Sequence, residues 1–190
     1  PVVRKREKVR PPGSGGLAQG NLGGRVEMAG RWTEALPHYQ RCLSLEGFDE
    51  SRAGRISVYV PLGRLMVKKG DIAKALEYGQ KALHAAQRAR DEDLEAEASY
   101  VLAIIDEERE NYAEATEHLQ RALAIFATNH TVHGLARAHT TAARLALRRS
   151  DLDAAVDHAK KGSEYAARLG DRYSTAVNDW AWGKVLFYLG

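Results

Sequence analysis

Apolar and small side chains recur at a helical period between residues 59 and 83, and the pattern breaks once. Before the break, the positions that share one face are Tyr59, Leu62, Gly63 and Met66. After the break, the same spacing returns at Ile72, Ala75, Gly79, Ala82 and Leu83. Steps of three and four residues place side chains along one face of an α-helix. The stretch therefore predicts two amphipathic helices joined by a short turn.

The turn reads KKGD, and its last two residues carry the signals that end one helix and begin the next. Gly70 can adopt the left-handed backbone conformation that closes a helix. Asp71 can cap the first turn of the following helix, where the helix dipole favours a negative charge.

A similar phrase returns every forty residues, beginning at Gly30, Gly70, Glu110 and Ser150. One column at this spacing holds only alanine, at Ala35, Ala75, Ala115 and Ala155. Internal repetition at such a period indicates stacked supersecondary units. The register predicts helices near residues 17–29, 32–46, 51–69, 72–90, 92–109, 112–128, 132–149, 152–168 and 172–189.

Small residues at repeated positions let the backbones of two facing helices approach closely. A single helix pair cannot bury its apolar stripe alone, so successive pairs must stack on one another. We therefore expect an all-α solenoid.

The second unit resembles the tetratricopeptide repeat (TPR) family, through Tyr59, Leu62, Gly63 and Met66, then Gly70, Asp71, Ala75 and Ala82. The family's standard unit has 34 residues. The forty-residue spacing is similar to the longer repeats of kinesin light chains, LGN-type adaptors and bacterial regulators of the MalT and Rap kinds. The resemblance implies a right-handed superhelix of antiparallel helix pairs. It implies about four and a half repeats within a domain spanning 17–190, near 17–48, 49–91, 92–131 and 132–171, with a half repeat at 172–190.

Charge is distributed unevenly along the chain. Residues 1–16 hold five basic side chains and one acidic one, a net charge of +4, so the rest of the chain carries −1 of the total +3. We interpret 1–16 as a basic disordered tail or linker and expect no nucleic-acid partner. The 190 residues contain no apolar run long enough for a membrane helix. The single cysteine, Cys42, fits a reducing compartment, and we expect a cytoplasmic protein.

Candidate catalytic and metal-binding residues all have a structural alternative. The GGLAQGN stretch has the glycine spacing of a phosphate loop but lacks its lysine. Three histidines share a column, His38, His118 and His158, but successive repeats lie too far apart for them to ligate one metal. Cys42 lies in a column of small residues and is expected to pack rather than react. We therefore expect no enzyme activity, no cofactor and no metal site.

The first helix of each pair lines the concave groove in TPR folds, and this resemblance nominates the partner-binding residues. They are Arg64, Tyr100, Ile104, Arg137, Thr140, Arg144, Arg148, Trp180 and Lys184, with Glu97 and Glu107 nearby. Basic side chains beside aromatic rings suit a protein or peptide with acidic groups. The acidic stretch DEERE, residues 106–110, is interpreted as a solvated helix end.

The sequence thus predicts a non-catalytic protein- or peptide-binding module, part of a larger bacterial regulatory or signalling protein. The alternative is a peptide-sensing regulator domain of the Rap or quorum-sensor type. The last predicted helix, 172–189, is apolar on most sides, at Trp180, Trp182, Val185, Leu186, Phe187 and Leu189. We expect this helix either to be followed by more of the fold or to form a homodimer interface.

Overall fold

The computed structural model describes residues 30–44 and 56–170 continuously, and residues 22, 23, 25, 26, 179, 182–184, 186 and 187 at either side. Its helices are α1 (Trp32–Ser44), α2 (Ile56–Lys69), α3 (Ile72–Ala89), α4 (Glu92–Glu108), α5 (Tyr112–Thr128), α6 (Val132–Arg148) and α7 (Leu152–Leu169). The described residues contain no β-strand. Every predicted end from residue 69 to 169 is within one residue of the observed end. The predicted tail at 1–16 and Trp180 lie outside the described residues.

The helices form antiparallel pairs, α2 with α3, α4 with α5 and α6 with α7, stacked into a right-handed superhelical solenoid. Successive first helices touch, α2 with α4 and α4 with α6. Successive second helices stay further apart, since no Cα atom of α3 lies within 8 Å of α5, nor one of α5 within 8 Å of α7. The first helices therefore form one continuous surface, while the second helices are separated by shallow gaps. None of the described helices has the length and apolar character needed to cross a bilayer.

The turns repeat every twenty residues, which is half the period visible in the sequence. Each has one residue at positive φ: Gly30, Gly70, Arg90, Glu110, His130, Ser150 and Gly170. In the six turns from Gly30 to Ser150, the amide of the next residue donates to the carbonyl five residues earlier, as from Asp71 to Met66 and from Asp151 to Ala146. This bond defines the Schellman motif. One turn geometry therefore sets each helix-to-helix connection from Gly70 to Ser150, as well as the turn before α1.

Small side chains hold the helices close together, as the repeated columns predict. The four alanines of the main column, Ala35, Ala75, Ala115 and Ala155, are all completely buried. Gly79 of α3 lies against α4 so closely that a Cβ atom there would be 2.8 Å from Leu102 Cδ2. A larger residue at this contact would require the Leu102 side chain to shift.

The positive φ shared by the turn residues leads to a prediction about the stability of the fold. Ser150 has φ +59, a conformation that costs a non-glycine residue roughly 1 kcal/mol, and Gly70 has φ +80 in the equivalent turn. Replacing Ser150→Gly should raise the free energy of unfolding by about 0.5 kcal/mol or more, because relief of strain outweighs the added freedom of the unfolded chain. Gly70→Ala should lower it by about 1 kcal/mol, since an added Cβ meets no atom within 4 Å and only the backbone strain acts. Urea midpoints measure both, and shifts of the same sign would contradict the turn assignment.

Candidate functional site

The surface shared by α4 and α6 brings together most of the polar side chains nominated from the sequence. We call it the first-helix face and define it by Glu97, Tyr100 and Glu107 on α4 and Arg137, Arg144 and Arg148 on α6. Residues forty apart in the sequence become neighbours here because α4 and α6 occupy equivalent positions in successive repeats.

Arg137 is the centre of one group on this face. Its Nη2 donates to Glu97 Oε1, and its guanidinium carbon lies 4.9 Å from the centroid of the Tyr100 ring. The Tyr100 hydroxyl is 3.3 Å from Thr141 Oγ1, which links the ring to α6 as well. The Arg137 guanidinium is therefore held by a carboxylate and by an aromatic ring together.

Glu107 is the centre of the second group, and its side chain is only 1% exposed. Arg144 binds it with both ends of the guanidinium fork, through Nε to Oε1 at 2.7 Å and Nη2 to Oε2 at 2.6 Å. Arg148 adds a bond from Nε to Oε1 at 3.1 Å. Burial acts to lower the pKa of the Arg144 guanidinium, but its hydrogen bonds and charge attraction to Glu107 outweigh burial and raise that pKa. Arg144 therefore stays charged.

The interpretation of residues 106–110 as a solvated helix end is wrong for the first two. Asp106 and Glu107 are buried, at 4% and 1% exposure, whereas Glu108, Arg109 and Glu110 are exposed. Asp106 accepts a 3.0 Å bond from Arg109 Nη1 and lies 3.7 Å from His118 Nε2. Each buried carboxylate thus has a guanidinium partner, which is what burial of a charge requires.

The other nominated residues are less directly involved in this face. Thr140 is buried and its hydroxyl donates to the Ala136 carbonyl of its own helix at 2.8 Å. Ile104 is half-buried against the apolar core. Arg64 is half-buried on α2, and Lys184 is exposed in a helical segment beyond α7.

Ring pairs form at the histidine column inside two of the helix pairs, α2 with α3 and α6 with α7, and sequence analysis missed them. His158 Nδ1 is 3.0 Å from Nδ1 of His139, and His139 also stacks on Tyr165 with centroids 5.7 Å apart. Two repeats earlier, Tyr59 stacks on Tyr78 at the same positions. Both pairs are separated by nineteen residues, and that spacing is the signal that could have identified them. Among the described residues, no three histidine, cysteine, aspartate or glutamate side chains are grouped as a metal site would require.

A cavity of about 250 Å³ lies between α5 and α7, and α6 forms its floor. Apolar side chains of Leu119, Leu123 and Leu145 line it, and Arg149 and His158 lie at its polar edge. The floor is open because Ala142 and Ala146 occupy positions that carry Leu102 and Asp106 one repeat earlier. Arg149 Nη1 donates to Thr116 Oγ1 at 3.1 Å across one end of the cavity.

Comparison with known proteins gives one family-model match and two similar solved structures. Residues 54–128 match the family model of the tetratricopeptide repeat. The crystal structure of the apo form of RapI is similar with a TM-score of 0.71 and 16% identity, over 95% of this chain and 54% of that one. Aspartyl phosphate phosphatase F from Bacillus subtilis is similar with a TM-score of 0.72 and 15% identity, over 95% of this chain and 51% of that one. The chain thus spans about half the length of each, and at these identities the likeness shows the fold alone. Comparison with curated proteins by sequence gives no match.

The histidine pair predicts a pH dependence of stability. Burial, followed by the charges of His158 and Lys161, lowers the pKa of His139 from 6.5 to about 4, with Asp157 acting in the opposite direction. Between about pH 6.5 and pH 4, His139 therefore binds a proton more readily in the unfolded chain than in the folded chain. As a result, the contribution of His139 to the free energy of unfolding is fully present above about pH 6.5 and decreases as the pH falls towards 4. Because the ring is partly exposed, solvent weakens this effect, and we expect the free energy of unfolding to fall by roughly 1 kcal/mol by pH 5.

The measurement is the urea midpoint at about pH 7.5 and pH 5 for the unchanged chain and for His139→Gln. The difference between the two pH values should be smaller in His139→Gln, while His84→Gln, an exposed histidine of α3, serves as the control. An equal pH dependence in all three proteins would show that His139 is not responsible.

Proposed function

We propose that this chain, whose residues 54–128 match the family model of the tetratricopeptide repeat, is a non-catalytic module that binds a protein or peptide on its first-helix face. The observation that carries the proposal is the placement of Tyr100, Arg137, Arg144 and Arg148 on one surface that crosses two repeats. Stacked repeats present extended surfaces of this kind, which suit elongated partners.

The charges on this face favour a partner with acidic groups. Arginine forks bind carboxylate and phosphate oxygens in a bidentate manner. Part of this capacity is already used, because Glu97 and Glu107 of the chain itself bind Arg137 and Arg144. A partner must therefore use the donors that these internal pairs leave open.

The proposed binding surface extends beyond these residues along the superhelix. It includes Arg64 on α2, Ile104 on α4, Thr140 on α6, and Trp180 and Lys184 towards the end of the sequence. We place the module within a larger cytoplasmic bacterial regulatory or signalling protein. A peptide-sensing regulator domain is the second candidate, and the similarity of fold to RapI and aspartyl phosphate phosphatase F over 95% of this chain favours it. The word phosphatase belongs to the name of the second of those proteins, and we do not propose that activity for this chain.

A second copy of the chain is a further proposed partner, through residues 172–189. Phe187 is 83% exposed and Leu186 is 49% exposed, while Trp182 packs against the core beside α7. Sedimentation velocity over a range of concentrations decides this proposal, and a constant monomeric value would contradict it.

Binding is tested with an array of short peptides in which acidic and charge-scrambled sequences are matched in length. A peptide that binds is then titrated against the chain and against Arg148→Gln. We expect about tenfold weaker binding in the variant, because a hydrogen bond to a charged group contributes roughly 1.5 kcal/mol or more. Arg148 suits this test better than Arg144, because removal of Arg144 would leave the buried Glu107 carboxylate without its bidentate partner.

The control is Arg88→Gln, which removes the same charge from an exposed position on α3. Thermal melting of all three proteins shows whether folding is intact. Equal affinity in Arg148→Gln and Arg88→Gln would move the binding surface away from the first-helix face.

A further inference from the structure

The two groups on the first-helix face differ in charge. Glu97 and Arg137 form a pair with no net charge. Glu107 is shared by Arg144 and Arg148, so this hydrogen-bonded group carries a surplus of one positive charge. The two arginines are four residues apart on α6, where like charges repel each other. Glu107 holds them side by side in spite of that repulsion.

Glu107 leaves several nitrogen atoms of the two arginines unused. Glu107 accepts from Nε and Nη2 of Arg144 but only from Nε of Arg148. Each guanidinium has five N–H groups. Arg148 thus keeps both of its Nη groups, and Arg144 keeps Nη1, without a partner among the described residues. The Arg148 side chain is 45% exposed and that of Arg144 is 34% exposed.

Arg137 cannot offer its guanidinium group to a ligand in the same way. Its Nη2 is bound to Glu97, its plane lies over Tyr100, and its Nε is buried with no hydrogen-bond partner in the described part of the chain. Glu108, which also attracts Arg144, is an exposed residue. Because Glu108 is exposed, water weakens its attraction to Arg144.

We propose that the Nη groups of Arg144 and Arg148, held together by Glu107, form a binding subsite for one oxyanion, a carboxylate or a phosphate group, of a peptide partner. This inference rests on the proposed function and names the chemical group that the first-helix face selects. Two adjacent guanidinium edges can bind both oxygens of such a group, and its charge cancels the surplus of the cluster.

The subsite is tested without a partner by titrating inorganic phosphate, and separately acetate, into the ¹⁵N-labelled chain at constant ionic strength. The signals followed are the Nε–Hε cross-peaks of the arginines. We expect a saturable shift at Arg144 and Arg148, with a smaller response at Arg88 on α3. A larger response to phosphate points to a phosphorylated group, and a larger response to acetate points to a carboxylate. Shifts at Arg144 and Arg148 no larger than at Arg88 would overturn the proposal.

Arg148→Lys separates the shape of the guanidinium from its charge. A lysine keeps the positive charge but cannot bind two oxygens through a planar fork. We expect the dissociation constant of the responsive anion to rise about tenfold in Arg148→Lys, as for the loss of a bond worth about 1.4 kcal/mol, and to stay unchanged in Arg88→Lys. An unchanged constant in Arg148→Lys would show attraction by charge alone and would also overturn the subsite.

These outcomes are separate from those of the peptide array. A peptide that binds the first-helix face but is not displaced by the responsive anion would leave the proposed function intact and contradict the subsite. Saturable anion binding in a chain that binds no peptide would support the subsite and contradict the proposed function.

Discussion

The close approach of successive helices at small side chains is the constraint on which the rest of this structure depends. Ala75 and Ala115 are fully buried at equivalent positions, and a Cβ atom added at Gly79 would lie only 2.8 Å from Leu102 Cδ2. Because the helices must meet at these points, each pair has to begin and end in the same register as the last. The identical turns, spaced twenty residues apart, maintain that register.

The regular stacking also explains how charged side chains come to be buried on the first-helix face. Glu107 on α4 meets Arg144 and Arg148 on α6 only because the two helices are adjacent and in register. A buried ion pair of this kind adds little net stability compared with apolar packing, while loss of one partner is costly. Its more specific effect is geometric, because it fixes two guanidinium groups at one place on the proposed binding surface. The packing of the repeats and the chemistry of the surface are therefore coupled.

The features that the sequence predicted are those that repeat within a local pattern. Apolar periodicity with Gly70 and Asp71 was sufficient to place the helix ends, since both residues act on their immediate neighbours. The turn residues Arg90 and His130 were missed because they adopt positive φ without being glycine. Glu107 was misjudged because its burial depends on arginines about forty residues later. The contact of His139 with His158 was not predicted, because the two residues lie on different helices of a pair. Contacts between two helices cannot be predicted from the pattern of either helix alone.

The most direct test of the packing constraint is the urea midpoint of Ala115→Leu compared with Ala124→Leu. Both substitutions lie on α5 and add the same atoms, but Ala115 is completely buried and Ala124 is exposed. We predict that Ala115→Leu lowers the free energy of unfolding by about 1–3 kcal/mol through overpacking. Ala124→Leu should change it by no more than about 0.5 kcal/mol. Equal midpoints for the two variants would contradict the claim that close helix contact at the alanine column determines the fold.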